Sequence, residues 1–164
     1  KDDDKQNSQR LTLMGDLKPI NKSEKELVKS RFHKFLPDSK KYSALHDFDF
    51  YKLSHSKIRW IGGFGEIAWL KIKDWKPVKP AWINNEEGMI NHMNQDHRNV
   101  IFSALQAQHQ RRDKKAKMIA LCIDGYFIKS RGKIFFISFG GICMNAKSYR
   151  EMLISQANQY RKFE

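Results

Sequence analysis

The chain has 164 residues and a formal net charge of +13, and it contains two cysteines. This length allows one domain or two small ones with a modest core, so disulfide bonds are not required for stability. Cys122 and Cys143 lie in apolar stretches without C-x-x-C spacing, which argues against a redox or zinc motif and favours a reducing cytoplasm. No apolar run approaches the roughly 18 residues of a membrane-spanning helix and no export signal begins the sequence, so we expect a soluble cytoplasmic protein.

The positive charge is spread evenly along the chain. Residues 1–83 carry 18 Lys and Arg against 11 Asp and Glu, and residues 84–164 carry 13 against 7. Such a charge is compatible with a nucleic-acid or acidic-membrane partner, but the chain has no basic tail, and its densest cluster, "RRDKKAK" at 111–117, is typical of a solvated loop. We therefore favour solubility and attraction of anionic ligands over nucleic-acid binding.

The first half of the chain begins with a strand and two helices. Residues 1–7 are typical of a tag or a hydrophilic loop, and we leave them out of the fold prediction. The alternation in "RLTLMGDLKPI" predicts a strand, and "KSEKELVKSRFHKFL" predicts a helix with a capping box formed by Ser23 and Glu26. The stretch "SKKYSAL" after Pro37 predicts a further short helix.

Two more strands are predicted in "FDFYKLSHSKIRWIGGFGEIAWLKI", with a turn near "SHSK". Gly62, Gly63 and Gly65 interrupt the second of these strands. They lack G-x-G-x-x-G spacing and no helix follows directly, so a phosphate-binding loop is not expected. The glycines instead favour a bulge or a close approach of the backbone.

A stretch with two prolines and no periodicity, residues 76–83, predicts a linker between a domain at 8–75 and a second domain at 84–164. Asn84 is placed to cap the next helix, with Glu86 and Glu87 near its positive end. We expect this helix to run from about 85 to 109, because apolar residues recur along it at three- and four-residue steps. This stripe consists of Met89, Ile90, Met93, His97, Val100, Ile101, Ala104 and Leu105.

The remainder predicts a hairpin or three strands and a closing helix. "KMIALCIDGYFIKSRGKIFFISFGG" contains two tight-turn dipeptides, Asp124-Gly125 and Arg131-Gly132, and "NAKSYREMLISQANQYRK" is amphipathic. The second domain is therefore expected to be a small helix, hairpin, helix unit, and the fold class of the whole chain to be α+β.

The histidines of "GMINHMNQDHRNVI" raise the question of a ligand site. In a continuous helix His92 and Asp96 lie about 40° apart, but His92 and His97 lie about 140° apart and cannot chelate one metal ion as an i, i+4 pair does. We therefore favour a structural interpretation, with His97 buried on the apolar stripe and His92 paired with Asp96 on the surface.

Several segments, in order, resemble the second half of bacterial haem-utilisation proteins of the pyridoxamine-phosphate-oxidase-like, FMN-binding split-barrel class. They are "QRLTLMGDL", "DFDFYKLSHSKIRWIGGFGEIAWL", "GMINHMNQDHRNVI" and "CIDGYFIKS...KIFFISF...NAKSYREMLISQA". In that family a barrel is followed by a small domain whose helix carries an HMNxDH motif, matched here by residues 92–97. The family barrel normally begins with a further strand-rich segment, which nothing before Arg10 resembles, so we expect only the second half of the barrel.

The resemblance implies a homodimer that binds or degrades haem in iron acquisition. It implies Arg10 and Arg59 as partners of haem propionates, with Gly63 and Phe64 as further cofactor-binding positions. His92 would be the first choice as ligand of the haem iron and His97 the second, because Asp96 is placed to orient the ring of His92. Some haem-degrading relatives take an axial histidine from a C-terminal tail, and here no histidine follows His109.

Three classes of function therefore remain. The first is a haem-binding protein, with or without oxygenase activity. The second is an FMN-dependent oxidoreductase of the pyridoxamine-phosphate-oxidase kind, with basic residues on the flavin phosphate. The third is a non-catalytic interaction module.

Overall fold

A computed structural model describes residues 8–45, 48–63, 65–75 and 79–163. The chain divides into two compact units, Lys1–Pro77 and Val78–Glu164. Each unit contains a separate three-stranded antiparallel sheet, and helices accompany both sheets, which confirms the α+β class. Among the described residues no helix is long and apolar enough to cross a membrane.

The sheet of the first unit has the order β1-β2-β3. Its strands are β1 (Arg10–Pro19), β2 (Tyr51–Gly63) and β3 (Glu66–Leu70). Helix α1 (Lys22–Phe35) and a 3₁₀ helix at Pro37–Ala44 connect β1 to β2. A further short 3₁₀ helix, Ile72–Trp75, follows β3.

The turn predicted near "SHSK" is wrong, because β2 continues through these residues. Gly15 pairs with His55 and Met14 with Lys57, so one residue of β2 is extra and the segment forms a β-bulge rather than a reversal. The chain instead reverses at the glycines, where Gly65 has φ of +83°, a conformation that side chains with a Cβ rarely adopt.

The bulge predicted at the glycines is confirmed by a shift in register between Ile61 and Gly63. A Cβ on Gly62 would lie 2.1 Å from the ring of Trp60, so the close approach requires glycine. The predicted capping box of α1 is wrong: the helix begins at Lys22 with Asn21 as N-cap, which places Ser23 inside the first turn. Cap signals in a sequence locate helix ends only to within a residue or two.

The second unit contains a sheet of order β4-β5-β6 and three main helices. The strands are β4 (Lys117–Cys122), β5 (Gly125–Ser130) and β6 (Lys133–Ser138). The turn predicted at Arg131-Gly132 joins β5 to β6, whereas the turn predicted at Asp124-Gly125 lies one residue earlier, at Ile123-Asp124, and Gly125 begins β5. The helices are α2 (Glu86–Asp96), α3 (Arg98–His109) and α4 (Ala146–Tyr160). Asn145 and Ser148 form a capping box at the start of α4.

The core of the second unit is built around two buried tyrosines. The rings of Tyr126 and Tyr149 are fully buried beside apolar side chains of the sheet and of α3. The Tyr149 hydroxyl donates to the Gly125 carbonyl oxygen at 2.7 Å, and the Tyr126 hydroxyl donates to Oε1 of Gln156 at 2.8 Å. Burial raises the pKa of both phenols, so both stay neutral donors at physiological pH.

The single helix predicted from about 85 to 109 is wrong in one respect: it is broken at His97. This residue has φ of −129° and ψ of 38°, and it lies between α2 and α3. The predicted apolar stripe continues across the break, with Ile90, Met93, Val100 and Ile101 all buried. His97 itself is only half-buried, in contrast to the buried position expected from the stripe.

Candidate functional site

The break at His97 brings the two histidines of the HMNQDH segment into contact. Nε2 of His97 lies 3.2 Å from Nε2 of His92, and the ring centroids are 4.8 Å apart at an interplanar angle of 82°. On the other side of its ring, Nδ1 of His92 lies 2.9 Å from Oδ2 of Asp96. The three side chains are thus linked in the order Asp96, His92, His97. We call His92 and His97 the histidine pair, and Asp96 its carboxylate.

This contact corrects the geometry expected from a continuous helix. Residues five positions apart in an α-helix point about 140° apart, which would separate the two rings. Because the backbone of His97 leaves the helical conformation, its ring turns toward the last turn of α2. The expected pairing of His92 with Asp96, one turn apart, is present in the structure, and both side chains are exposed.

Hydrogen-bond chemistry assigns the protons of the histidine pair. An ionised carboxylate only accepts, so Nδ1 of His92 carries hydrogen and donates to Asp96. When His92 is neutral, this leaves a lone pair on its Nε2, which can accept a hydrogen bond from Nε2 of His97. The Nε2 lone pair of His92 could therefore bind an electrophile, which would replace the hydrogen bond from His97.

The histidine pair lies on the wall of a cavity of about 470 Å³. A volume of this size is within the range of about 300–1000 Å³ that is common for small-molecule sites. Most of the wall is apolar and comes from α2, α3 and α4. The lining residues are Met89, His92, Met93, His97, Val100, Ala146, Arg150, Leu153, Ile154, Ala157 and Asn158.

Helix α4 adds two polar side chains to this cavity that the sequence analysis did not single out, Arg150 and Asn158. Arg150 is exposed and brings a cation to a wall that otherwise carries Leu153, Ile154 and Ala157. The signal was present in the sequence, because Arg150 is three, four and seven residues from these apolar positions and so lies on the same helical face.

Asn94 of the same segment has a structural role. Its side-chain amide donates to the Met118 carbonyl oxygen at 2.9 Å, and its Oδ1 accepts from the Met118 amide at 2.9 Å. Two hydrogen bonds from one side chain attach α2 to the start of β4. The HMNQDH segment thus combines an anchor to the sheet at Asn94 with a polar pair at the cavity.

The histidine pair with its carboxylate is not arranged as a metal centre, because Asp96 and His97 contact opposite nitrogens of the His92 ring. No group of three or more His, Cys, Asp or Glu side chains within the described parts of the chain is arranged to hold a metal ion. Cys143 is buried, and burial raises the pKa of its thiol, which disfavours the thiolate form that binds metals. Two roles remain for the histidine pair. One is to supply a nitrogen ligand to a metal that a bound cofactor already coordinates, and the other is purely structural.

The other predicted cofactor residues lie in the first unit. Arg10 pairs with Ile61 and Thr12 pairs with Arg59, so both arginines lie on one face of the sheet. Nε of Arg59 is buried without a hydrogen-bond partner among the described residues, and its guanidinium lies 5.9 Å from the centre of the Trp69 ring. Gly63 ends β2, and Phe64 lies outside the described residues.

Comparisons with known proteins support the barrel in the first unit. Residues 1–77 match the family model described as CREG, beta-barrel, which is less than half of the chain. This match supports the split-barrel part of the sequence resemblance and does not extend to the HMNxDH segment. No curated protein sequence matches this chain.

Two solved structures are similar to this one. A protein of unknown function from Agrobacterium tumefaciens str. C58 has a TM-score of 0.71 at 19% identity, over 94% of this chain and 64% of that protein. This chain therefore spans less than two thirds of that protein, and the similarity shows a shared fold. A heme binding protein from Mycobacterium smegmatis has a TM-score of 0.46 at 16% identity, over 98% of this chain and 69% of that protein.

Proposed function

We propose that this chain is a haem-binding protein of the split-barrel type and that the cavity of the histidine pair holds the haem. The sequence resemblance and the barrel match of residues 1–77 supply the class of protein. The observation that carries the proposal is the position of the histidine pair on the wall of a mostly apolar cavity.

The residues of the cavity fit the chemistry of haem. A neutral imidazole nitrogen is a common axial ligand of haem iron. Apolar side chains such as Met89, Met93 and Leu153 suit the porphyrin faces, and the guanidinium of Arg150 suits a propionate carboxylate. Bound haem would supply an iron centre, and these residues would orient it and exclude water.

Within the histidine pair we propose His92 as the residue that would ligate the haem iron. The two Nε2 atoms lie only 3.2 Å apart, so one ring rather than both would take this role. The hydrogen bond from Nδ1 of His92 to Asp96 fixes the tautomer that has its lone pair on Nε2 and makes that nitrogen a better donor. Ligation at Nε2 of His92 would displace the hydrogen bond to His97, whose ring has no carboxylate partner in these contacts and would stay on the cavity wall.

Two alternative functions remain open to the same test. In place of the histidine cavity, Arg10, Arg59, Gly63 and Phe64 of the first unit are proposed as contacts to a cofactor anion, either a propionate of haem bound there or the phosphate of FMN. A purely structural role of the HMNQDH segment, as in an interaction module, is the third class. We propose a cytoplasmic location, because Cys143 is buried in the core and forms no disulfide bond.

The test is a titration of the purified chain with hemin, followed by absorbance. We expect a shifted Soret band that is lost in His92→Ala and weakened in Arg150→Gln, with His109→Ala as the matched control. His109 is an exposed histidine of the same unit whose Nε2 contacts the Phe136 carbonyl oxygen, outside the cavity. An unchanged Soret shift in a folded His92→Ala variant would refute His92 as ligand, and a flavin spectrum in the protein as purified would favour the FMN alternative.

We also propose a homodimer formed through the sheet of the first unit. Both edge strands of this sheet, β1 and β3, lack a further partner strand among the described residues. Large apolar side chains are exposed on both faces of these strands, Leu11 and Leu13 on one face and Ile67 and Trp69 on the other. A second copy that completes the barrel would satisfy the strand edges and cover the face of Ile67 and Trp69.

A further inference from the structure

The second unit contains another cavity whose chemistry differs from that of the histidine cavity. It has a volume of about 770 Å³ and is formed by α3, the loop that follows it, the β5–β6 turn and the 3₁₀ helix at Arg161–Phe163. Two aromatic and four cationic side chains line it: Phe102, Phe163, Arg112, Lys114, Lys115 and Arg131. We propose that this cavity binds a nucleotide, with its phosphates on the cationic side chains and its base against phenylalanine.

The charge of the wall favours a ligand with more than one negative charge. Four cationic side chains face one carboxylate, Asp113, which leaves three net positive charges. None of these four cationic side chains forms an ion pair with another residue in the described parts of the chain. Nε of Arg112 donates to Oε1 of Gln106 at 3.1 Å, which holds this guanidinium in place before a ligand binds.

Asp113 is a negative charge in the cavity wall, and its hydrogen bonds also shape the basic loop. Its carboxylate accepts from the Ser130 hydroxyl at 2.6 Å and from the Lys115 amide at 3.0 Å. These two hydrogen bonds, the first being the stronger cause, hold its pKa below the usual value. They tie the basic loop to the end of β5 and so keep Lys114 and Lys115 next to the cavity.

The aromatic side chains distinguish a nucleotide from a simple phosphate. Phe102 and Phe163 are half-buried, so each presents part of its ring to the cavity. Inorganic phosphate would gain no stacking contact with these rings, whereas any of the nucleobases can stack on an aromatic side chain. Arginine and lysine next to such rings suit the phosphates of the same molecule.

The proposal is tested by calorimetric titration of the full chain with ATP, adenosine and tripolyphosphate at low salt. We expect ATP to bind, and the double variant R112Q/R131Q to weaken both ATP and tripolyphosphate by at least about tenfold, since two charge-assisted contacts are lost. Phe163→Ala should weaken ATP by about tenfold through lost stacking but leave tripolyphosphate unchanged. Lys147→Gln removes an exposed lysine outside the cavity and should change neither affinity.

Several results would overturn this assignment. Equal losses of affinity in Lys147→Gln and R112Q/R131Q would show general attraction of anions to a basic protein. Equal effects of Phe163→Ala on the affinities for ATP and tripolyphosphate would show that the base does not contact this cavity. The chain could also bind an oligonucleotide of deoxyadenosines more than about tenfold tighter than ATP, with a steeper salt dependence. That result would show that the ligand is a nucleic-acid strand and not a nucleotide. Thermal unfolding of each variant checks the fold, and binding of hemin, which uses the other cavity, should stay unchanged.

Discussion

Single residues determine how the candidate site is built, and His97 is the clearest case. Its spacing from Met93, Val100 and Ile101 predicts a helical core position, and the side chains around it are indeed buried. Its backbone, however, leaves the helix, and this turns the ring onto His92. No proline or glycine marks the break in the sequence, so residue types alone could place both histidines on α2 and α3 but could not predict their contact.

Tyr149 provides a prediction at this scale. Its hydroxyl makes a fully buried hydrogen bond to the Gly125 carbonyl oxygen, so Tyr149→Phe would leave that acceptor with one bond fewer in an apolar core. We expect a loss of about 1–3 kcal/mol in the free energy of unfolding, measured by urea denaturation. Tyr160→Phe, at a half-buried position, is the control, and equal stability of Tyr149→Phe and the parent would contradict the role of this bond.

The same tyrosines predict a dependence of stability on alkaline pH. Burial raises the pKa of Tyr126 and Tyr149 in the folded state above their unfolded value of about 10. Their stabilising contribution is therefore complete below about pH 10 and is lost as pH rises further, because only the unfolded chain ionises them readily. Urea midpoints measured between pH 8 and 11 should fall above about pH 10, and less steeply in Tyr149→Phe.

At the scale of helices and strands, the periodicity of apolar residues predicts which segments form secondary structure. Turn-forming residues predict the positions of the turns less well. The alternation of β1, the stripe of α2 and α3 and the turn at Arg131-Gly132 were all predicted. The prediction of a turn at "SHSK" was wrong, because a run of polar residues within a strand resembles a turn in sequence. The chain reverses instead at Gly65, which has a left-handed backbone conformation. The bulge in the "SHSK" segment depends on the pairing of β2 with β1 and has no glycine in β2 to mark it, whereas glycines marked the bulge between Ile61 and Gly63.

The attachment of α2 to β4 gives a prediction at this scale. Asn94→Ala removes both hydrogen bonds to the backbone of Met118 and leaves a half-buried amide and carbonyl unpaired. We expect a loss of about 1–3 kcal/mol in unfolding free energy. Asn91→Ala, at an exposed position of α2, is the control for thermal unfolding. Equal melting temperatures of the two variants would show that the HMNQDH segment does not anchor the helix.

For the whole molecule, the two units differ in how well their apolar residues are covered. The second unit has a continuous core in which Ile101, Leu105 and Ile128 are fully buried. In the sheet of the first unit, Ile67 and Trp69 remain 63% and 60% exposed, although strand alternation places them on one face. A sequence can predict such strands, but whether a second chain covers them depends on surfaces that meet only after folding.

This difference leads to the last prediction, which concerns assembly. If a second copy completes the barrel, the chain is a dimer at micromolar concentration, and a charge on the covered face breaks it, because an unpaired lysine would have to be buried between apolar strands. We expect light scattering to give twice the mass of 19.4 kDa for the parent chain and the monomer mass for Trp69→Lys. Ile154→Lys is the matched control, since this residue of the second unit is also exposed, at 51%, and should leave the dimer intact. A parent chain that is monomeric, or a Trp69→Lys variant that remains dimeric with its fold preserved in circular dichroism, would contradict dimerisation through this sheet.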